Sequence, residues 1–169
     1  MRFELFLQEA PNTVANFVEL AQSGFYDGMS FYRVVPGALV QAGDPAGDGT
    51  GHAGYTIQGE FAENGIENNI AHTRGTISMS RQSGYDTASS QFFIMQGNYP
   101  EYNGQYAAFG RAMDEGSLQV LDEIASVLVD SKHYPVGTLY RIRDVQVETY
   151  GYKYESAKID LPKEEDETK

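Results

Sequence analysis

Apolar residues recur at helical spacing in two places along the chain. After Pro11, residues Val14, Phe17, Val18 and Ala21 fall at i, i+3, i+4 and i+7, which makes one apolar face. Pro11 suits a first helical turn, where its missing N–H would have no partner, and Gly24 marks a stop. A second stripe comprises Leu118, Leu121, Ala125 and Leu128, widened by Val120, Ile124 and Val127. It predicts a helix from near Ser117 to Leu128, capped by Ser117. Elsewhere the pattern is that of short strands. Phe3, Leu5 and Leu7 alternate with Arg2, Glu4 and Gln8, and residues 31–41, 76–80, 91–96 and 106–111 read as strands. Ile142, Val145 and Val147 sit among charged residues, with a phase slip at Arg143-Asp144 that reads as a bulge. Gly-rich breaks such as Asp27-Gly28, Gly47-Asp48-Gly49 and Asn103-Gly104 separate the runs.

Many short strands with two isolated helices predict a mostly β chain, an antiparallel barrel capped by the helices. The length of 169 residues suits one domain, and 41% hydrophobic content is ample for its core. That domain is expected over residues 1–150, with an extension over 151–169. The run Lys163-Glu164-Glu165-Asp166-Glu167 after Pro162 reads as a solvated, frayed end.

Charge and composition narrow the function. Acids outnumber Lys and Arg 24 to 12, a net −12, which argues against nucleic acid and against anionic membrane surfaces. The absence of Cys excludes a disulfide scaffold, thiol catalysis and a Cys-ligated metal. No apolar run approaches the roughly 20 residues of a membrane span. The start, Met1-Arg2-Phe3-Glu4, lacks a signal-peptide pattern, so the expectation is a cytoplasmic protein.

Several chemistries fail on spacing. Asp44-x-Ala46-x-Asp48-Gly49 resembles the start of a calcium loop, but position three lacks an oxygen side chain and position twelve is Tyr55. The glycines from Gly43 to Gly54 are not followed by Gly-Lys-Ser/Thr, so they make no phosphate cradle. His52, His72 and His133 have no ligand spacing, and no metal is expected. Ser89 and Ser90 lack a nucleophile elbow. What remains is Arg33, flanked by aromatic and β-branched residues in Phe31-Tyr32-Arg33-Val34-Val35-Pro36-Gly37. Locally it is either a surface arginine on an alternating strand or a fixed cation beside an apolar pocket. Gln41 shares its strand parity if the pairing is regular; Pro36-Gly37 would break that phase. Phe92 and Phe93 are adjacent on a strand, so they cannot both fill one core.

Together these segments resemble a cyclophilin, the barrel family of peptidyl-prolyl cis–trans isomerases. The resemblance covers roughly Leu5 to Tyr150 in order. It rests on residues 10–17 (APNTVANF), residues 24–37 (GFYDGMSFYRVVPG), Val40-Gln41-Ala42-Gly43-Asp44-Pro45 and Gly49-Thr50-Gly51. Glu60-Phe61, residues 72–81 (HTRGTISMSR), residues 88–94 (ASSQFFI) and Phe109-Gly110-Arg111 complete it. It implies a cyclophilin-like closed antiparallel β-barrel capped by two α-helices, needing no cofactor. It implies that Arg33 is catalytic, that Gln41 orients it, and that Phe93 floors a proline pocket which Leu39 also lines. Ser80 and Arg81 match the stretch whose backbone holds an extended peptide, and Gln91 lies at the pocket's edge. The implied partners are proline-containing peptides and unfolded protein chains.

The chain departs from the family at several of these positions. Ala38 stands where Phe is usual, Tyr32 and Tyr106 replace histidines, and Tyr102 replaces a leucine. These four are expected among the substrate-binding residues. Glu101 lies near the place of the tryptophan that favours cyclosporin, so weak cyclosporin binding is expected. The family also has a strand before the one that begins at Arg2. Three arrangements fit: the true start lies upstream, residues 150–159 cover the gap, or a second copy does. The alternative to an isomerase is a module that binds proline peptides in the same groove with little turnover. A further alternative is an assembly role through the open edge.

Overall fold

The computed structural model describes residues 1–162 of the chain. The Lys163–Glu167 charge run lies outside the described residues. The elements are β1 (Phe3–Leu5), α1 (Pro11–Gln22), β2 (Arg33–Val35), β3 (Leu39–Ala42) and β4 (Tyr55–Thr56), then β5 (Thr76–Met79), β6 (Phe92–Met95), β7 (Ala108–Ala112), α2 (Glu115–Ala125) and β8 (Ile159–Asp160). The fold is mostly β with two helices. Six strands form one antiparallel sheet in the order β1-β7-β5-β6-β3-β2, and β4 pairs with β8.

Pro11 opens α1 as its position in the sequence predicts, but the residue before it, Ala10, has no side chain to cap with. The carboxylate of Glu60 does so from across the chain. Its Oε1 accepts from Asn12 N–H at 3.0 Å, and its Oε2 accepts from Thr13 N–H at 2.7 Å and Thr13 Oγ1 at 2.6 Å. A negative group at a helix N-terminus is also favoured by the helix dipole. The helix stops at Ser23, followed by Gly24 in the left-handed region at φ +72°.

The second helix corrects its prediction. Asp114, not Ser117, is the cap, accepting Ser117 N–H at 2.8 Å, so α2 starts two residues earlier. Ser117 is buried, and its hydroxyl accepts Arg2 N–H at 2.6 Å. The helix ends at Ala125; Val120 and Leu128, expected on the apolar face, are exposed.

The two faces of the sheet hold different clusters. Val34, Val40, Ala42, Ile77, Met79, Phe92 and Ile94 turn to the main core. There Phe17 of α1 contacts Tyr26, Phe92 and Phe109 with ring centroids 5.1 to 5.4 Å apart. Leu39, Phe93 and Met95 turn the other way and form a second cluster with Ala38. The parity rule therefore separates Phe92 from Phe93 as the sequence requires.

Residues 28–34 pair with residues 133–142. Gly28 N–H donates to Ile142 O at 2.8 Å, Ile142 N–H to Met29 O at 2.8 Å, Phe31 N–H to Tyr140 O at 3.0 Å and Val34 N–H to His133 O at 2.9 Å. Beyond Ile142 the predicted strand has no ladder. Residues 143–148 make no backbone–backbone hydrogen bond among the described residues, although Val145 and Val147 pack against the core. Residues 156–160 do not cover β1; they lie along α1 and reach β4. Asn12 and Ala157 exchange two hydrogen bonds of 3.0 and 2.6 Å, Lys158 Nζ lies 3.1 Å from Glu19, Ser156 Oγ donates to Glu19, and Ile159 pairs with Thr56.

Candidate active site

One row of residues crosses four neighbouring strands on the outer face of the sheet. Arg33 on β2 is the register partner of Gln41 on β3, Gln41 of Phe93 on β6, and Phe93 of Ser78 on β5. The β2–β3 hairpin produces the first pairing. Ala38 N–H donates to Val35 O at 2.9 Å across Pro36-Gly37, and Gly37 has φ +79°. Proline at the second and glycine at the third position are what this turn demands. Pro36-Gly37 thus ends one strand and begins another, so Arg33 and Gln41 face each other across the hairpin instead of sharing a single strand.

Arg33 is half-buried, and its Nη1 donates to Gln41 Oε1 at 3.1 Å. This is its single side-chain hydrogen bond among the described residues, so its other N–H groups remain available to a ligand. Gln41 Nε2 faces Tyr32 Oη at 2.5 Å, Ser80 Oγ at 3.1 Å and Gln91 Oε1 at 3.1 Å. Tyr32 Oη donates to Gln91 Oε1 at 2.6 Å. Gln91 Nε2 in turn donates to Gly49 O at 3.1 Å and Gly51 O at 2.8 Å. Burial chiefly, and then the Asp44 carboxylate, push the Tyr32 hydroxyl well above the ordinary tyrosine range, so it stays a donor at any physiological pH.

Beside this polar row lies an apolar one. Leu39 and Phe93 are buried, and Tyr99, Tyr102 and Tyr106 pack partly buried against them. The Tyr102 and Tyr106 rings meet Phe93 edge-on at centroid distances of 6.0 and 5.5 Å. Ala38 is buried in the same cluster. Expected pocket residues Ala38, Leu39, Phe93, Tyr102 and Tyr106 are thus brought together, with Arg33 and Gln41 in the adjoining row.

Ser80 and Arg81 reach the site differently. Ser80 N–H donates to Gln91 O at 2.9 Å, tying the two strand ends, and its hydroxyl meets Gln41. The Arg81 side chain turns into an aromatic cage. Its guanidinium carbon stands 5.1 Å from the Phe61 centroid, 5.3 Å from Tyr85 and 5.0 Å from Tyr106, and its Nε donates to Gln105 O at 3.0 Å. Such stacking exploits the weakly hydrated planar cation.

His72 has no assigned role in the sequence reading, yet its ring stacks on Phe93 of this cluster. It is buried, with Nδ1 3.2 Å from Asn103 Oδ1 and Nε2 3.0 Å from Ser78 Oγ. The backbone N–H of His72 also donates to Asn103 Oδ1 at 2.7 Å, which pins the segment carrying Tyr102. Burial holds its pKa below the ordinary histidine value, against the raising effect of the Asn103 hydrogen bond. In the sequence His72 stands out only as the first residue of the 72–81 motif, 21 positions before the phenylalanine it stacks on. Among the described residues no three acidic or His side chains group as metal ligands.

Comparison with known proteins is consistent along the chain. The sequence model of the family described as cyclophilin type peptidyl-prolyl cis-trans isomerase/CLD matches residues 1–147. A Synechococcus elongatus peptidyl-prolyl cis-trans isomerase is 44% identical over 135 residues, covering 76% of this chain and 88% of that protein. Peptidyl-prolyl cis-trans isomerase B of Bacillus subtilis is 47% identical over 111 residues, covering 66% and 74%. Among solved structures, a Cryptosporidium parvum cyclophilin type isomerase crystallised in the presence of the dipeptide Ala-Pro superposes with a TM-score of 0.75. It is 31% identical and covers 87% of this chain and 91% of that one.

Proposed function

The chain belongs to the cyclophilin-type peptidyl-prolyl cis–trans isomerases, and we propose that Arg33, held by Gln41 beside the Leu39–Phe93 pocket, carries its catalysis. The observation that supports this is the Arg33–Gln41–Phe93 row, which sets a fixed cation next to an apolar floor.

The reaction breaks no σ bond. An X-Pro amide rotates in tens to hundreds of seconds because of its partial double bond. A turnover of about 10–10³ s⁻¹ needs roughly 10³–10⁵-fold acceleration, or about 4–7 kcal/mol. The proline ring enters the pocket formed by Leu39, Phe93, Tyr102 and Tyr106, which excludes water and weakens amide resonance. Arg33 bonds the prolyl carbonyl and donates toward the amide nitrogen as it pyramidalises in the twisted transition state. That nitrogen becomes a good acceptor only once conjugation is lost, so the bond is stronger in the transition state than in the ground state. Gln41 keeps the guanidinium in place. No nucleophile, metal or cofactor takes part.

The substrates in this reading are proline-containing peptides and unfolded chains. The presence of Ala-Pro with the Cryptosporidium relative supports that ligand class. Ala38 removes one phenyl wall and the two tyrosines return some bulk, so cyclosporin binds weakly. The six-stranded sheet, together with the paired segments 28–34 and 133–142, is read as the wall of the family's barrel.

Exchange NMR on an Ala-Pro-Phe-type peptide, with wild type and Arg33→Ala side by side, tests the assignment. Accelerated exchange that collapses in the variant supports it. Binding shifts without accelerated exchange indicate a proline-peptide reader.

A further inference from the structure

The hydrogen-bond chain that ends at Arg33 has its polarity set from the far end. Backbone carbonyls only accept, so the Gly49 and Gly51 oxygens, at 3.1 and 2.8 Å, turn the Gln91 amide nitrogen toward their loop. Gln91 Oε1 then points inward and can only accept. The Tyr32 hydroxyl, 2.6 Å away, must spend its one proton there. Its oxygen is left as an acceptor, 2.5 Å from Gln41 Nε2. The Gln41 amide is thereby turned so that Oε1 faces the Arg33 guanidinium at 3.1 Å. With the amide reversed, an NH₂ group would face a cation that has only donors.

We propose that Tyr32 is a positioning residue for Arg33, acting through Gln41, and not a contact for the substrate. The assignment rests on Arg33 as the catalytic group. Three observations support it. The Tyr32 hydroxyl is engaged on both sides by protein groups, Gln91 Oε1 and Gln41 Nε2, so its proton is already committed. Its two hydrogen bonds are the shortest in the chain from the glycine loop to Arg33. The other partners of Gln41 Nε2 lie farther away, at 3.1 Å, and one of them, the Ser80 hydroxyl, is half-buried and free to rotate. Tyrosine suits this place because one atom both donates and accepts along a nearly buried path.

The test is steady-state exchange on the same proline peptide with Tyr32→Phe, which keeps the ring and deletes the bridging oxygen. A roughly 10-fold fall in kcat with KM within about twofold is expected, the pattern of lost transition-state alignment. Tyr32→His, whose imidazole also donates and accepts, should recover most of kcat. Gln91→Leu offers an independent route should Tyr32→Phe fold poorly. It removes the acceptor of the Tyr32 proton, and the double variant should lose no more than the worse single one. A wild-type kcat in Tyr32→Phe overturns the proposal, as does a rise in KM alone, or additive losses in the double variant. Arg33→Ala separates the two readings: if it keeps full activity, the catalytic assignment fails; if it collapses while Tyr32→Phe does not, only the positioning role fails.

Discussion

The imidazole of His72 lies 6.0 Å from the ring of Phe93, at 24° to it, so the residue proposed as the pocket floor rests on a titratable group. Its folded pKa is lowered by burial. As pH falls, the unfolded chain therefore takes up this proton first, near the ordinary value of about 6.5. The stability His72 allows is complete above that pH and is lost progressively as pH drops toward the folded value. Thermal unfolding should show a Tm that declines below about pH 6.5. In His72→Gln this part of the slope should vanish; an unchanged slope would assign it to other groups.

Loss of Arg33 should be far more costly than any change at the pocket wall. Arg33→Ala should lower kcat/KM about 10²–10³-fold, comparable with removing one preorganised donor. Arg33→Lys should fail as well, since an ammonium cannot reproduce the planar fork. Arginine keeps its proton throughout and His72 is neutral near pH 7, so turnover measured from pH 6 to 8 should be flat. A steep titration in that range counts against the mechanism.

Arg81 should govern substrate affinity more than turnover. Its guanidinium braces Tyr106 against Phe61 and Tyr85, and Tyr106 meets Phe93 edge-on. Arg81→Ala should raise KM by roughly 3–10-fold, since a partly desolvated cation–π contact contributes about 1–2 kcal/mol. Its kcat should stay close to wild type. Peptide titrations by NMR would register the same loss as weaker binding.

Glu60 is a stability residue without a catalytic role. Glu60→Ala would leave the buried N–H of Thr13 and its hydroxyl without their partner at the start of α1. We expect a loss of about 2–4 kcal/mol in chemical denaturation. Glu60→Gln should lose less, because one acceptor oxygen survives. Activity per folded molecule should hold in both.

Cyclosporin should bind with a Kd weaker than about 1 μM, a free energy smaller than about 8 kcal/mol. Ala38 supplies a methyl where the resemblance calls for a phenyl, and Glu101 is exposed near the place of the helpful tryptophan. Calorimetric titration checks this directly, and nanomolar binding would contradict it.

Much of the candidate site was readable from residue order because the family motifs are dense around it. Arg33, Gln41 and Phe93 sit on strands whose alternation sends them to one face, and the structure brings them into one row. The hairpin at Pro36-Gly37 was harder to read, since an eight-residue separation fits both one long strand and two facing ones. Glu60 and Ser117 show why caps mislead. The sequence offers only local candidates, whereas α1 is capped from 47 positions away. Arg81 and His72 were obscure for a related reason. Their partners are rings and carbonyls gathered from several loops, and no periodicity marks such meetings. The strand predicted around Val145 has the right alternation, but alternation reports burial of side chains and says nothing about a ladder partner.

That last segment sets where the molecule opens first. Residues 143–148 pack on the core through Val145 and Val147 and, among the described residues, make no backbone–backbone hydrogen bond. Their amides should exchange with deuterium at close to the rate of an unfolded peptide, while those of β5 and β6 exchange only through global unfolding. A protease added to the native protein would accordingly cut here before the candidate site lost its shape, and the Arg33–Gln41–Phe93 row would outlast the seam.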